Sequence, residues 1–187
     1  EHISAYSLII EEGTPFYNKY YQDEPDEEED RLIYRKTKEI LEAKGYIRYE
    51  ISNYAKKGYE SKHNNLYWKR NPYLGIGLGS SSLINNRRFL NEEDISKYIK
   101  NSSNHNLLQQ DKQEAMEEFM FLGLRIIEGI KKSQFKEEFD IKIEDVYGNV
   151  IEQSIKEGVI AEKSDKIFLT EYGLDVSNYV LARFLLD

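Results

Sequence analysis

The sequence predicts an α+β protein. Its first part looks like the trailing strand, helix and strand of a larger α/β sheet or barrel, followed by a glycine-rich hairpin and a winged-helix-like module. Three observations carry this expectation. Two short strand-like runs, Ile3 to Ile10 and Tyr46 to Ser52, bracket an amphipathic helical stretch. Two apolar runs flank Asn85-Asn86, a pair that tolerates the positive φ of a tight hairpin turn. The last third reads as helices, a hairpin and a final helix.

The run from Ile3 to Ile10 is mostly apolar, as in a strand covered on both faces. Pro25 in a first helical turn, the acidic run Asp26 to Asp30 and the apolar set Ile33, Ile40 and Leu41 describe a helix that Gly45 stops. Strand, helix and strand in that order predict a parallel βαβ unit, which cannot close a sheet alone. Residues 53 to 72 read as a polar, cationic loop. The hairpin then runs through YLGIGLGSSSLI and RRFL, and Asn91 with the acids after it caps a helix to about Lys100. The stretch NSSNHNLLQQ reads as a linker, with a domain boundary near residues 101 to 111. Beyond it, Asp111 with Glu114 caps a helix that Gly129 ends, Ser133 opens a short helix, and Val146 to Ile155 lie on a longer one. VIAEK and KIFLT flank Ser164-Asp165 as a hairpin, and Thr170 starts a last helix reaching Phe184.

Composition excludes several classes of function. The chain has 187 residues, 40% of them hydrophobic, and a formal charge of −8, which disfavours nucleic acid and anionic membrane surfaces. Residues 115 to 187 hold nine basic against fifteen acidic side chains, and the helix around 144 to 157 sets Glu144, Asp145, Glu152 and Glu157 against Lys156. A duplex would repel that surface, so the winged-helix-like module reads as a structural or protein-contact domain. There is no cysteine, hence no disulfide and no thiolate ligand. No apolar run approaches the roughly eighteen residues of a membrane span. The chain opens on a strand-like run without an initiator methionine, which suggests that further sequence precedes it.

One region inverts the charge balance. From Asn53 to Leu90 there are Lys56, Lys57, Lys62, Lys69, Arg70, Arg87 and Arg88 against Glu60 alone. This basic island contains His63 and Trp68, the only tryptophan. Cations around an aromatic surface suit a planar ligand with carboxylates at its rim, and a neutral His63 imidazole could bind a haem iron. The plainer alternative has Tyr67 and Trp68 under the hairpin, His63 capping a turn and the cations at an ordinary surface. Gly75, Gly77 and Gly79 do not make a dinucleotide fingerprint, because no helix follows them; they mark a close approach or a bulge. Glu50 and Asn53 sit at a strand end, where α/β sheets place functional groups, or else Glu50 merely pairs with Arg48 or a lysine. No residue stands out as catalytic.

Taken together and in order, HISAYSLIIEEGTPF, GYIRYEISNYAKKGYESKHNNLYW, YLGIGLGSSS, FLGLRIIEGI and LTEYGL resemble the carboxy-terminal half of radical-SAM proteins related to oxygen-independent coproporphyrinogen III oxidase. His63, Asn64, Tyr67 and Trp68 match the H-N-x-x-Y-W motif of the haem-chaperone branch, HemW. The resemblance implies residues 1–108 as the end of a partial (β/α) barrel with its glycine-rich hairpin, and 109–187 as the family's winged-helix-like carboxy-terminal domain. It implies haem or porphyrin as ligand, His63, Asn64, Tyr67 and Trp68 at the haem, with His63 toward its iron, and Glu50, Asn53, Gly75, Gly77 and Gly79 near it. An iron–sulfur cluster and S-adenosylmethionine would bind to upstream sequence. Respiratory haemoproteins are the implied recipients, in the cytoplasm or peripherally at the membrane. The other branch implies an oxidase of porphyrin biosynthesis, and a third possibility is a segment that only completes the barrel. Relatives carry Ala-His after the last glycine where this chain has Ser80-Ser81.

Overall fold

The computed structural model describes residues 1–8, 10–20, 27–100, 105–108 and 111–186. They form two compact units, Glu1–Ser61 and Lys62–Asp187. The boundary expected near residues 101 to 111 falls largely outside the described residues, as do Pro25 and Asp26.

The first unit contains β1 (His2–Ser4), α1 (Pro15–Tyr20), α2 (Glu27–Ala43), β2 (Ile47–Arg48) and β3 (Asn53–Ala55). Its sheet has the order β1-β3-β2, and both outer strands pair antiparallel with β3. The expected βαβ unit is thus corrected: β1 and β2 run the same way, but β3 lies between them. The reason is local. Glu50 Oε1 accepts the Ser52 N–H at 2.9 Å and the Asn53 side-chain amide, and this folds the chain back after two residues of β2. The stretch read as one strand is therefore a strand and a turn. β1 is also shorter than expected: beyond Ser4 the Ala5 N–H reaches back to Ser52 O at 2.8 Å, and Tyr6 and Leu8 are exposed.

The second unit opens with α3 (Lys62–Trp68), a helix where the sequence suggested a loop. Its seven residues contain no glycine or proline, and a Schellman arrangement ends it. Asn71 N–H donates to Leu66 O at 2.9 Å and Arg70 N–H to Tyr67 O at 3.0 Å. Arg70 takes the left-handed position, φ 49°, that glycine usually fills.

Next come β4 (Ser81–Ile84), β5 (Arg87–Asn91), α4 (Ile95–Lys100) and β6 (His105–Leu108), with the strands in antiparallel order β4-β5-β6. Asn85 and Asn86 make the hairpin turn with φ of 52° and 57°, as their amide side chains suggest. Two expectations fail here. The glycine-rich run is a loop before β4 rather than part of the strand, and β6 occupies the supposed linker. The cap of α4 is also reassigned. Asp94 Oδ1 accepts the N–H groups of Ser96 and Lys97 at 2.8 and 3.0 Å, while Asn91 is buried at the end of β5.

The remainder comprises α5 (Lys112–Gly123), β7 (Ile130–Lys131), α6 (Lys132–Phe139), α7 (Ile143–Lys156), β8 (Ile160–Lys163), β9 (Lys166–Leu169), α8 (Glu171–Asp175) and α9 (Ser177–Ala182). Asp111 and Glu114 form the expected capping box, although α5 stops at Gly123, before Gly129. The sheet order is β7-β9-β8. Ile143, Tyr147, Ile151 and Ser154 form the buried stripe of α7, at the spacing of one helix face. They meet an aromatic core in which Phe135 contacts Phe119, Phe139 and Tyr147 at centroid distances of 5.4, 4.8 and 6.0 Å, and Tyr147 contacts Phe184 at 5.4 Å. Burial, with the charge of Glu117, pushes the Tyr147 hydroxyl above the ordinary tyrosine range. The single final helix expected from Thr170 is instead α8 and α9, broken at Val176.

Candidate functional site

Helical phase sorts the H-N-x-x-Y-W residues into two pairs. Positions four apart share a helix face, so His63 lies with Tyr67, and Asn64 with Trp68. His63 is exposed and meets Tyr67 edge to face, centroids 4.6 Å apart and planes at 88°. Tyr67 meets Tyr73 in the same way, at 4.5 Å and 85°. Each contact sets a positive ring edge on a negative ring face, so the three rings hold one another in fixed orientations. The outermost ring is an imidazole open to solvent.

Tyr73 starts the glycine-rich loop. Its backbone pairs with Leu83 in both directions, N–H to O at 2.8 and 3.0 Å, and the chain then rises away from the sheet. Gly75 packs so tightly that a Cβ there would clash with Ser81 O, and its N–H donates to Ser82 Oγ at 2.9 Å. Gly77, with φ 109°, and Gly79, with φ 62°, make the turn. Asn91 holds it from below: its side-chain amide donates to Gly77 O and to Ser80 Oγ, each at 2.9 Å. The side chains between these anchors point outward, with Ile76 86% and Leu74 65% exposed. A loop fixed by buried polar groups thus presents large apolar side chains to solvent.

The basic island does not remain a free cationic surface. The Arg70 side chain is 1% exposed; its Nε donates to Glu118 at 2.8 Å and its Nη1 to Glu138. Arg88 Nε donates to the other oxygen of Glu118 at 2.6 Å, and its Nη1 to Tyr73 Oη at 2.9 Å. The island is therefore spliced to α5 and α6 by four charges that balance. Burial raises the Glu118 carboxyl, but the hydrogen bonds and charges of Arg70 and Arg88 outweigh it and hold the group below the ordinary range. Burial raises Glu138, and Arg70 alone, opposed by the charge of Glu118, does not bring it back. Arg125 adds a further link, its guanidinium lying 4.7 Å from the centroid of the Trp68 ring. Lys62, Lys69 and Arg87 remain exposed.

Glu50 and Asn53 belong to the first unit. Glu50 is 0% exposed; Oε1 takes the two donors that make the β2–β3 turn, while Oε2 is buried with no hydrogen-bond partner. Asn53 Oδ1 accepts from Ser4 Oγ at 2.5 Å, and its amide reaches Tyr6 Oη at 3.4 Å. Arg48 donates to Tyr34 Oη at 2.7 Å, and Tyr34 Oη to Ile51 O at 2.9 Å. The Arg70, Arg88, Glu118 and Glu138 cluster is the site feature that sequence reasoning missed, because its partners lie up to 68 positions apart. The charge inversion between the island and the acidic module was the available signal. Among the described residues no group of three or more His, Cys, Asp or Glu could hold a metal ion, and no helix is long and apolar enough to cross a membrane.

This arrangement of helices and small antiparallel sheets is a HemN-like fold. It aligns with coproporphyrinogen III oxidase HemN of Escherichia coli, a radical-SAM enzyme, at a TM-score of 0.66 and 14% identity over 88% of this chain and 42% of that one. Residues 110–176 match the HemN C-terminal domain family. The heme chaperone HemW of Lactococcus lactis is 33% identical over 100% of the chain and 51% of its own length, and that of Bacillus subtilis 34% over 99% and 51%. The Escherichia coli heme chaperone HemW is 30% identical over 100% of the chain and 50% of its own length. The chain belongs to the HemW and HemN-related family, and it spans about half the length of the curated relatives it matches.

Proposed function

We propose that this chain is the carboxy-terminal part of a HemW-like haem carrier, with α3 and the glycine-rich loop forming its share of the haem site. The exposed His63 imidazole, backed by Tyr67 and Tyr73, carries the reading. A neutral imidazole in the open can bind an iron. The outward Leu74 and Ile76 beyond Tyr73 offer an apolar surface to a porphyrin face, and Lys62 and Arg87 offer cations to its propionates. In this reading His63 and Tyr67 face the ligand first, and Asn64 and Trp68 follow on the adjacent face. Gly75, Gly77 and Gly79 set the loop, whereas Glu50 and Asn53, fully buried in the first unit, serve the β2–β3 turn there.

In the same reading residues 1–108 end a partial (β/α) barrel and 109–187 are a winged-helix-like domain that contacts protein. An iron–sulfur cluster and S-adenosylmethionine would be held by residues outside this chain, since it has no cysteine to ligate the cluster. The chain by itself performs no radical chemistry, and haem would pass to respiratory haemoproteins in the cytoplasm or at the membrane periphery. The oxidase alternative is not favoured: the relatives at 30–34% identity are heme chaperones, whereas the oxidase shares 14% and supports the fold alone.

Haem titration tests the proposal. A saturable Soret shift that weakens in His63→Ala, with quenching of Trp68 fluorescence, is expected. Identical titrations of the two proteins would refute the role of His63, and unchanged emission at saturation would remove Trp68 from the ligand.

A further inference from the structure

Behind Trp68, within the second unit, lies a cavity of about 260 Å³. Its apolar wall is Trp68, Phe119, Ile126 and Ile130, and its charged lining includes Lys69, Arg70, Glu128, Lys131 and Lys166. Arg70 is balanced by Glu118 and Glu138, and Lys166 lies 3.3 Å from Glu128. Lys69 and Lys131 are in no ion pair among the described residues. Two ammonium groups in the lining of an apolar hollow, neither in an ion pair among the described residues although Lys131 also acts on the Asp165 carboxylate, favour a negative head on a short apolar stem. The volume falls below the roughly 300–1,000 Å³ of sites that enclose a drug-sized molecule, so the hollow admits a side arm or a small acid rather than a macrocycle.

Trp68 forms a partition in this arrangement. Arg125 covers its ring at 4.7 Å, and its Nε1 is buried without a hydrogen-bond partner among the described residues, as is Nε of Arg125. The neighbourhood is short of acceptors, which a carboxylate supplies. His63 does not line the cavity.

We propose that this cavity binds an aliphatic carboxylate, with Lys69 and Lys131 on the carboxylate and the Trp68, Phe119, Ile126 and Ile130 wall on the stem. Two sources share this chemistry: a free short-chain acid and a propionate arm of a porphyrin. Only the second rests on the haem reading above.

The sole tryptophan gives a single indole N–H resonance, which reports on the cavity without any activity. Titration of the 187-residue chain with butyrate should move that resonance saturably. The same titration should be unchanged in His63→Ala and weakened about tenfold in Lys131→Ala and in Lys69→Ala, the loss of one charge-assisted hydrogen bond. Both lysines are exposed, so neither substitution disturbs the core. Metal-free protoporphyrin and its dimethyl ester separate the sources. A shift with the diacid and none with the ester assigns the porphyrin arm, and a shift with butyrate alone assigns a free acid. An indole that moves with neither acid, or that moves equally in the lysine variants, overturns the proposal. Binding of butyrate in a chain that shows no Soret shift would sink the haem reading and leave this one standing.

Discussion

The two parts of the second unit treat their aromatic and apolar side chains in opposite ways. From α3 through the glycine-rich loop, His63, Leu74 and Ile76 stand in solvent on a backbone held by buried polar groups. From α5 onward, Phe135, Tyr147 and Phe184 are sealed in a contact network. Burying large apolar groups stabilises a fold by roughly 1.5–3 kcal/mol per side chain, so the first arrangement forgoes stability that the second collects. The haem proposal uses the open surface, and the sealed part supplies stability. The join between them is electrostatic, through Arg70, Arg88, Glu118 and Glu138.

The contrast can be broken at its strongest points first. Phe135→Ala removes the centre of the aromatic core and should cost about 3–5 kcal/mol by urea denaturation. A loss under about 1 kcal/mol would mean that the core is not where the stability lies. Arg70→Met strands Glu138 and leaves Glu118 to Arg88 alone, and a loss of about 3–5 kcal/mol is expected, with part of it restored when Glu138 is also changed to Gln. Failure of that rescue would show that the loss comes from the packing of the Arg70 side chain rather than from a stranded charge. Asn91→Ala removes the amide that ties Gly77 O to β5, although Ser80 Oγ still donates to that carbonyl, and should cost about 0.5–1.5 kcal/mol, weakening haem binding as the loop loosens.

The join also predicts opposite pH responses. Glu118 has a folded pKa below its ordinary 4.5, so its contribution is present above 4.5 and is lost as the pH falls through the folded value. Glu138 has a folded pKa above 4.5, so the folded state holds its proton more tightly, and stability declines as the pH rises from 4.5 through the folded value. Glu138→Gln should abolish the second slope and leave the first; thermal melts across that range that keep the slope would disprove the assignment. The smallest effect belongs to the loop. Ile76→Ser should change stability by less than about 0.5 kcal/mol while weakening haem several-fold, and a larger stability loss would show that Ile76 is covered rather than open.

Much of this was written locally. The Asn85-Asn86 turn, the Asp111 and Glu114 capping box, the stripe on α7 and the hairpin around Ser164-Asp165 each follow from a few neighbouring side chains. The H-N-x-x-Y-W residues were equally legible as a motif, but the helix that pairs His63 with Tyr67 was not, since residues 53 to 72 read as a loop. Other features were hidden because their partners are remote or their backbone is special. Asn91 looked like a helix cap, since nothing in its vicinity tells that its amide crosses to the loop at Gly77. Residues 46 to 52 alternated like one strand, since the alternation is blind to a Glu50 side chain folding the chain back on itself.

The sequence by itself determined most of the elements of the last third, the Asn85-Asn86 turn, the Asp111 and Glu114 cap, the family pattern and the concentration of positive charge around α3, all properties of contiguous residues. Tertiary structure decided which of those charges stay free. Arg70 and Arg88 are spent on Glu118 and Glu138, while His63 and Ile76 are left in solvent, because the field at a charge depends on distance through space and not along the chain.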